Sequence, residues 1–161
     1  MIYLNFKEVY MLKKGIVAFM MMGTLALANP VKIVFDVHTG NDARFHFIMN
    51  NLRNAIHATG NNPKNLQIYL VFYGPGIKYM LNSLDNTPFA KDTNLANNLM
   101  DMQIQLQAYQ QEGIVHFRVC HNSLNRFHIS PKDVVSFAKV VPAGILEVAK
   151  LEHEGYAYVR P

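Results

Sequence analysis

Short runs of β-favouring residues alternate with segments of helical periodicity along most of this chain, and that alternation limits the folds open to it. The runs are Lys32–Val37, Leu66–Tyr73, Ile114–Val119, Lys139–Val141 and Tyr156–Val159. Between the first two, Phe45, Ile48, Met49, Leu52, Ala55 and Ile56 recur at i, i+3, i+4, i+7 spacing, with Arg44, Arg53 and His57 off the stripe. This predicts a helix from about Asp42 that Gly60-Asn61-Asn62-Pro63 stops. Leu95, Leu99, Met102, Leu106 and Tyr109 mark a second, longer helix ended by Gly113. Shorter helices are expected at Ile77–Leu84, at Ser123–Phe127, after the Ser130-Pro131 cap and over Gly144–Glu154, and the polar stretch Asp85–Asn94 reads as a loop. Strands alternating with helices predict a parallel or mostly parallel sheet covered on both faces.

Sheets of this kind gather ligands and reactive groups beyond the carboxyl ends of their strands. His38, Gly74-Pro75-Gly76, Cys120 and Pro142-Ala143-Gly144 all fall at such ends.

The first 28 residues read as a processing signal. Lys13-Lys14 precede an apolar stretch from Ile16 to Leu27, and Ala26-Leu27-Ala28 supplies a small-residue cleavage site before Asn29. Met11 fits a start, with residues 1–10 an upstream extension. The apolar run is shorter than the roughly 18–20 residues of a spanning helix, so no stable membrane insertion is expected after cleavage; the alternative is an uncleaved anchor. A single domain over residues 29–161, exported to the periplasm, is the resulting expectation. Its balance of 12 basic and 10 acidic residues makes a net +2, so the high pI belongs largely to the leader. No basic stripe marks a nucleic-acid surface.

One cysteine in an exported chain cannot close an internal disulfide. Cys120 is therefore a partner-linking thiol, a small buried apolar residue, or the reactive atom of the protein. At the handover from strand to helical turn, the amides of Asn122 and Ser123 are placed to favour a thiolate. Period-2 geometry puts His116 and Arg118 on the strand face that Cys120 shares, which makes Arg118 a candidate counter-charge. The Gly74-Pro75-Gly76 triplet brings backbone amides near an anion or serves as a tight turn; its spacing fits neither a Walker loop nor a dinucleotide fingerprint. Among the seven histidines only His116 and His121 approach a metal-ligand spacing, and they straddle a strand end, so no metal site or cofactor is expected. No G-x-S-x-G nucleophile motif occurs.

The order of segments resembles the DsrE/DsrF-like family, specifically its small exported members. The matching stretches are Lys32–Val37, Leu66–Gly76, Val119–Leu124, Val140–Gly144 leading into Glu147, and Glu154–Pro161. The resemblance implies a three-layer α/β/α sandwich around a mainly parallel five-stranded sheet, assembled as a homotrimer or homohexamer. It also implies that Cys120 occupies the position where sulfur-trafficking members carry sulfane sulfur as a persulfide. On that reading Arg118, Asn122 and Ser123 stabilise the anion, and His38, Gly74 and Gly76 shape the pocket. The sulfur donor and acceptor stay unassigned. The alternative is a non-catalytic oligomeric binding or assembly module in which the cysteine is inert.

Overall fold

The computed structural model describes residues 29–160; the leader expected over residues 1–28 lies outside them. The elements in chain order are β1 (Val31–Val37), α1 (Asp42–Ala58), β2 (Leu66–Phe72), a 3-10 helix (Gly74–Met80), α2 (Thr93–Gln111), β3 (Val115–Cys120), α3 (His121–Arg126), a 3-10 turn (Pro131–Asp133), β4 (Ala138–Val141), α4 (Gly144–His153) and β5 (Ala157–Val159). The five strands form one sheet in the order β4-β3-β2-β1-β5, and every pairing is parallel. This is the three-layer α/β/α arrangement, with a fully parallel sheet.

The two faces are filled differently. Phe35, Val37, Leu66, Ile68, Leu70, Phe72, Val115, Phe117 and Val119 point toward α1 and α2. Those helices return Phe45, Ile48, Leu52, Ile56, Leu95, Leu99 and Leu106, the stripe residues of the sequence. On the opposite face Val34 and Val71 meet Val148 and Leu151 of α4, with Tyr69, Tyr73 and Tyr156 packed around them. Period-2 alternation is what splits the residues this way.

Helix starts are set by side-chain caps. Asn41 accepts from the Arg44 amide at 2.9 Å, opening α1, and Asp92 accepts from the Leu95 amide at 3.1 Å, opening α2. The cap at Asp92 moves the start of α2 into the expected loop. The helix expected at Ile77–Leu84 is instead a 3-10 helix beginning at Gly74. Buried Lys78 holds it, reaching Asp42 of α1 at 2.8 Å and the α2 cap Asp92 at 2.5 Å. Tyr79 adds a 2.7 Å bond to Asp42 and stacks on Phe45. The Ser130-Pro131 start yields only one 3-10 turn, closed by a capping box between Ser130 and Asp133, because Val134 is already extended.

Phe117 sits at the centre of the larger core, 1% exposed between Phe72 and Phe137. Phe117→Ala should lower unfolding free energy by about 3–5 kcal/mol in urea titrations. Phe47→Ala, on the solvent side of α1, should change it by less than about 0.5 kcal/mol.

Candidate active site

The parallel register sets the site. The last paired residues run Val37, Phe72 and Val119 across β1, β2 and β3. One step further, His38, Tyr73 and Cys120 stand side by side at the carboxyl rim, and Cys120 pairs onward with Val141 of β4. Neighbouring strands lie roughly 4.8 Å apart, so Cys120 and His38 are separated by about two strand spacings with Tyr73 between them. Alternation puts these side chains on the α4 face.

Cys120 ends β3 and is the N-cap residue of α3, which begins directly at His121 rather than at Ser123. It is buried, 5% exposed, and unpaired with any other cysteine. Its side chain forms no capping bond, so the polar groups around it act chiefly as oriented dipoles. Burial pushes the thiol pKa up. The Ser123 hydroxyl, then the backbone N–H groups of Gly144, Ser123 and Asn122, outweigh burial and leave the thiol below its ordinary value.

Ser123 links this cradle to β2. Its Oγ accepts the Gly74 amide at 2.8 Å, which directs the hydroxyl proton away from Gly74. Gly74 takes a left-handed φ of +52°, and a Cβ there would lie 2.9 Å from the His38 carbonyl oxygen. Gly144, expected at a strand's carboxyl end but given no part in the anion pocket, brings its amide in from the β4–α4 turn. A Cβ on it would lie 2.8 Å from that of Tyr73, so only glycine lets α4 start this close to β2.

Other expected residues hold different posts. Arg118 shares the face but is not the counter-charge of Cys120: its Nε is 3.1 Å from Glu147 on α4, its Nη2 is 3.2 Å from the Tyr69 hydroxyl, and it stacks over the Tyr69 ring. Its charge is satisfied there. His116 packs against Tyr69, and burial followed by the Arg118 charge lowers its pKa. The Gly74 amide serves Ser123 and the Gly76 amide bonds the Tyr73 carbonyl at 3.2 Å, so neither is left for an external anion. Gly76 is needed because a Cβ would collide with the Val37 carbonyl. The Asn122 side chain is exposed, and its contribution is an amide shared with the Pro142 carbonyl at 3.3 Å. His38 Nδ1 lies 3.1 Å from Asp36 Oδ2, and its ring stacks on Tyr73. Among the described residues no three His, Cys, Asp or Glu side chains gather as metal ligands.

Comparison with known proteins adds three findings. The model of the DsrE/DsrF-like family matches residues 32–161. No curated protein sequence matches. A solved structure described as a protein of unknown function from Methanobacterium thermoautotrophicum is similar in fold, with 21% identity and a TM-score of 0.58, covering 80% of this chain and 97% of its own.

The dipole cradle predicts how the thiol titrates. In pH-dependent alkylation, the midpoint for Cys120 should fall below that of free cysteine. Ser123→Ala removes the largest lowering contact, so it should move the midpoint upward and slow alkylation at neutral pH.

Proposed function

The chain belongs to the DsrE/DsrF-like family, and on that premise we propose that it traffics sulfur, carrying sulfane sulfur as a persulfide on Cys120. Membership associates the fold with sulfur metabolism. The observation that carries the finer reading is the environment of Cys120, a buried thiol whose pKa is lowered by the Ser123 hydroxyl and three backbone amides.

The thiolate attacks the outer sulfur of a donor R–S–SH. A bond forms between Cys120 Sγ and that sulfur, the donor S–S bond breaks, and its electron pair leaves on R–S⁻. The donors that favour the thiolate also stabilise the persulfide anion that replaces it. An acceptor nucleophile then takes the outer sulfur and returns Cys120 as thiolate. Because the chain contains no second cysteine, no resolving thiol within it can discharge the persulfide as a disulfide. A carrier needs that property.

The mature protein is placed outside the cytoplasm, in the periplasm, on the strength of the leader pattern ending at Ala28. Among the described residues no helix is long and apolar enough to cross a membrane. Self-association as a homotrimer or homohexamer fits the exposed Ile145 and Leu146 at the start of α4, 69% and 63% accessible beside the thiol cradle. The second reading, an assembly module with an inert thiol, draws on the same exposed pair and on the burial of Cys120.

Treatment with polysulfide should add one sulfur atom to Cys120, read by mass spectrometry of the intact protein and of the peptide containing it. Cys120→Ser should take up none. A wild-type thiol that neither alkylates nor gains sulfur in the folded protein would establish the assembly reading instead.

A further inference from the structure

A hollow of about 250 Å³ opens between the first turns of α1 and α2, on the face of the sheet away from Cys120. Phe45, Leu95 and Met102 give it apolar walls, and Asp42, Tyr79 and Asn98 are among its polar groups. It exists because the large side chains at the helix starts are drawn inward. Phe45 is buried and stacks on Tyr79 with ring centroids 3.9 Å apart, and Leu95 is buried in the same core. His46 and Asn98, left at the surface on either side, are polar and exposed. A site on this face stands or falls apart from the reading of Cys120.

The hydrogen bonds at this end leave acceptors in excess. The Tyr79 hydroxyl donates to Asp42 Oδ1 at 2.7 Å, and the Asn98 side-chain amide donates to the Asn94 carbonyl at 2.8 Å. Burial, then the bond to Asp42, pushes the Tyr79 phenol up, so it stays a donor. The first-turn amides of Arg44 and Leu95 are spent on the caps Asn41 and Asp92. Among the described residues no hydrogen bond reaches Asp42 Oδ2 or Asn98 Oδ1. Charge runs the same way. Lys78 Nζ is shared between Asp42 and Asp92, so one ammonium faces two carboxylates. That ammonium is buried, while the Asp42 side chain keeps 38% exposure.

We propose that this hollow binds a primary monoamine with an apolar body, its ammonium on Asp42 and its stem against Phe45, Leu95 and Met102. Aliphatic amines hold their proton at neutral pH, with pKa values near the lysine value of about 10.4. The ammonium brings three donors and a positive charge to a place short of both. At roughly 30 Å³ for one water in the liquid, the hollow has room for on the order of eight heavy atoms. Met102 is unbranched and adaptable, which suits an alkyl stem.

The far end of the groove sets a limit on the ligand. A second hollow of about 170 Å³ shares His46 and Met102 with the first and runs on past Met49 to Arg53. Arg53 bonds Asn50 Oδ1 at 2.8 Å and has no acidic partner among the described residues. The groove therefore ends on a cation, roughly 16 Å along α1 from Asp42 at 1.5 Å per residue. A second ammonium on the ligand would leave water for an apolar stretch and meet a like charge beyond it. Diamines are disfavoured on that ground.

The test uses four probes with the same six-carbon stem: hexylamine, hexanol, hexanoate and hexamethylenediamine. Each is titrated into isotope-labelled protein and followed by the NMR shifts of backbone amides. Hexylamine should shift the amides around Asp42 and Asn98 and leave those around Cys120 unmoved. Hexanol should bind about fivefold more weakly, the worth of a partly exposed ion pair, and hexanoate and the diamine more weakly still. Asp42→Asn should remove the advantage of hexylamine over hexanol. Asn98→Lys sets an ammonium at the exposed rim without touching the contact between Asp42 and Lys78, and should remove the same advantage. Each variant is judged by the ratio of the two probes, which a loss of folded protein does not change. Equal binding of hexylamine and hexanol by the unaltered protein, tighter binding of hexanoate, or shifts outside the hollow overturn the assignment. Shifts of the same amides with protein concentration alone also overturn it, because they mark the hollow as a contact between copies of this chain.

Discussion

The parallel register of β1, β2 and β3 is the constraint on which the site depends. Because all three strands run the same way and pair without offset, residues far apart in sequence come to one rim. His38, Tyr73 and Cys120 follow paired positions in three different strands. An antiparallel pairing would send one of them to the opposite edge. A slip of one residue would turn Cys120 toward the core of Phe117 and Val119. The same register sets Asp36, Val71 and Arg118 one row below, where Tyr69 of β2 and Tyr73 just beyond its end reach opposite ways, Tyr73 to Asp36 and Tyr69 to Arg118. Each charge on this face is thus tied to the strand beside it.

Holding the rim takes backbone contacts that only glycine permits, each for its own reason. Gly74 needs a left-handed φ and close approach to His38, Gly76 passes directly over the Val37 carbonyl, and Gly144 lets α4 begin against Tyr73. Gly74 and Gly76 lie in the 3-10 helix that Lys78 pins between Asp42 and Asp92. Lys78 is buried, whereas Asp42 and Asp92 keep 38% and 24% exposure, so the pair contributes position more than energy. The Lys78 bond, aided by the Leu95 amide, outweighs burial and holds the Asp92 carboxyl below its usual range, so this fixture weakens as Asp92 protonates in acid. Through Gly74 and Ser123, the set of the 3-10 helix reaches the sulfur.

Much of this was legible in the sequence, and the parts that were not share a cause. Local signals gave the strands, the stripes of α1 and α2, and the placement of Cys120 at a strand end. They also gave the face shared by His116, Arg118 and Cys120, since alternation is a local property. Long-range pairing was not legible. Arg118 reads as a cation near a thiol until Glu147, 29 residues later, is found to take it. Gly144 reads as a helix start until α4 is folded back against β2. Asp36 sits inside a β-rich run, where only its being charged in an apolar context signals a role, and the Tyr73 hydroxyl that it binds lies 37 residues later. The start of α2 was missed for a more local reason: Asp92 as a cap inside a polar stretch looks like loop until the helix it opens is known.

The way the Cys120 thiol is made more acidic bears on what chemistry it suits. A thiolate gained by bringing a full positive charge close would be stabilised strongly, and its nucleophilicity would fall with its pKa. Here the cation on the same face is withdrawn to Glu147, and the sulfur is left with dipoles that must first offset burial. The result is a thiol lowered by several weak donors rather than by one strong charge.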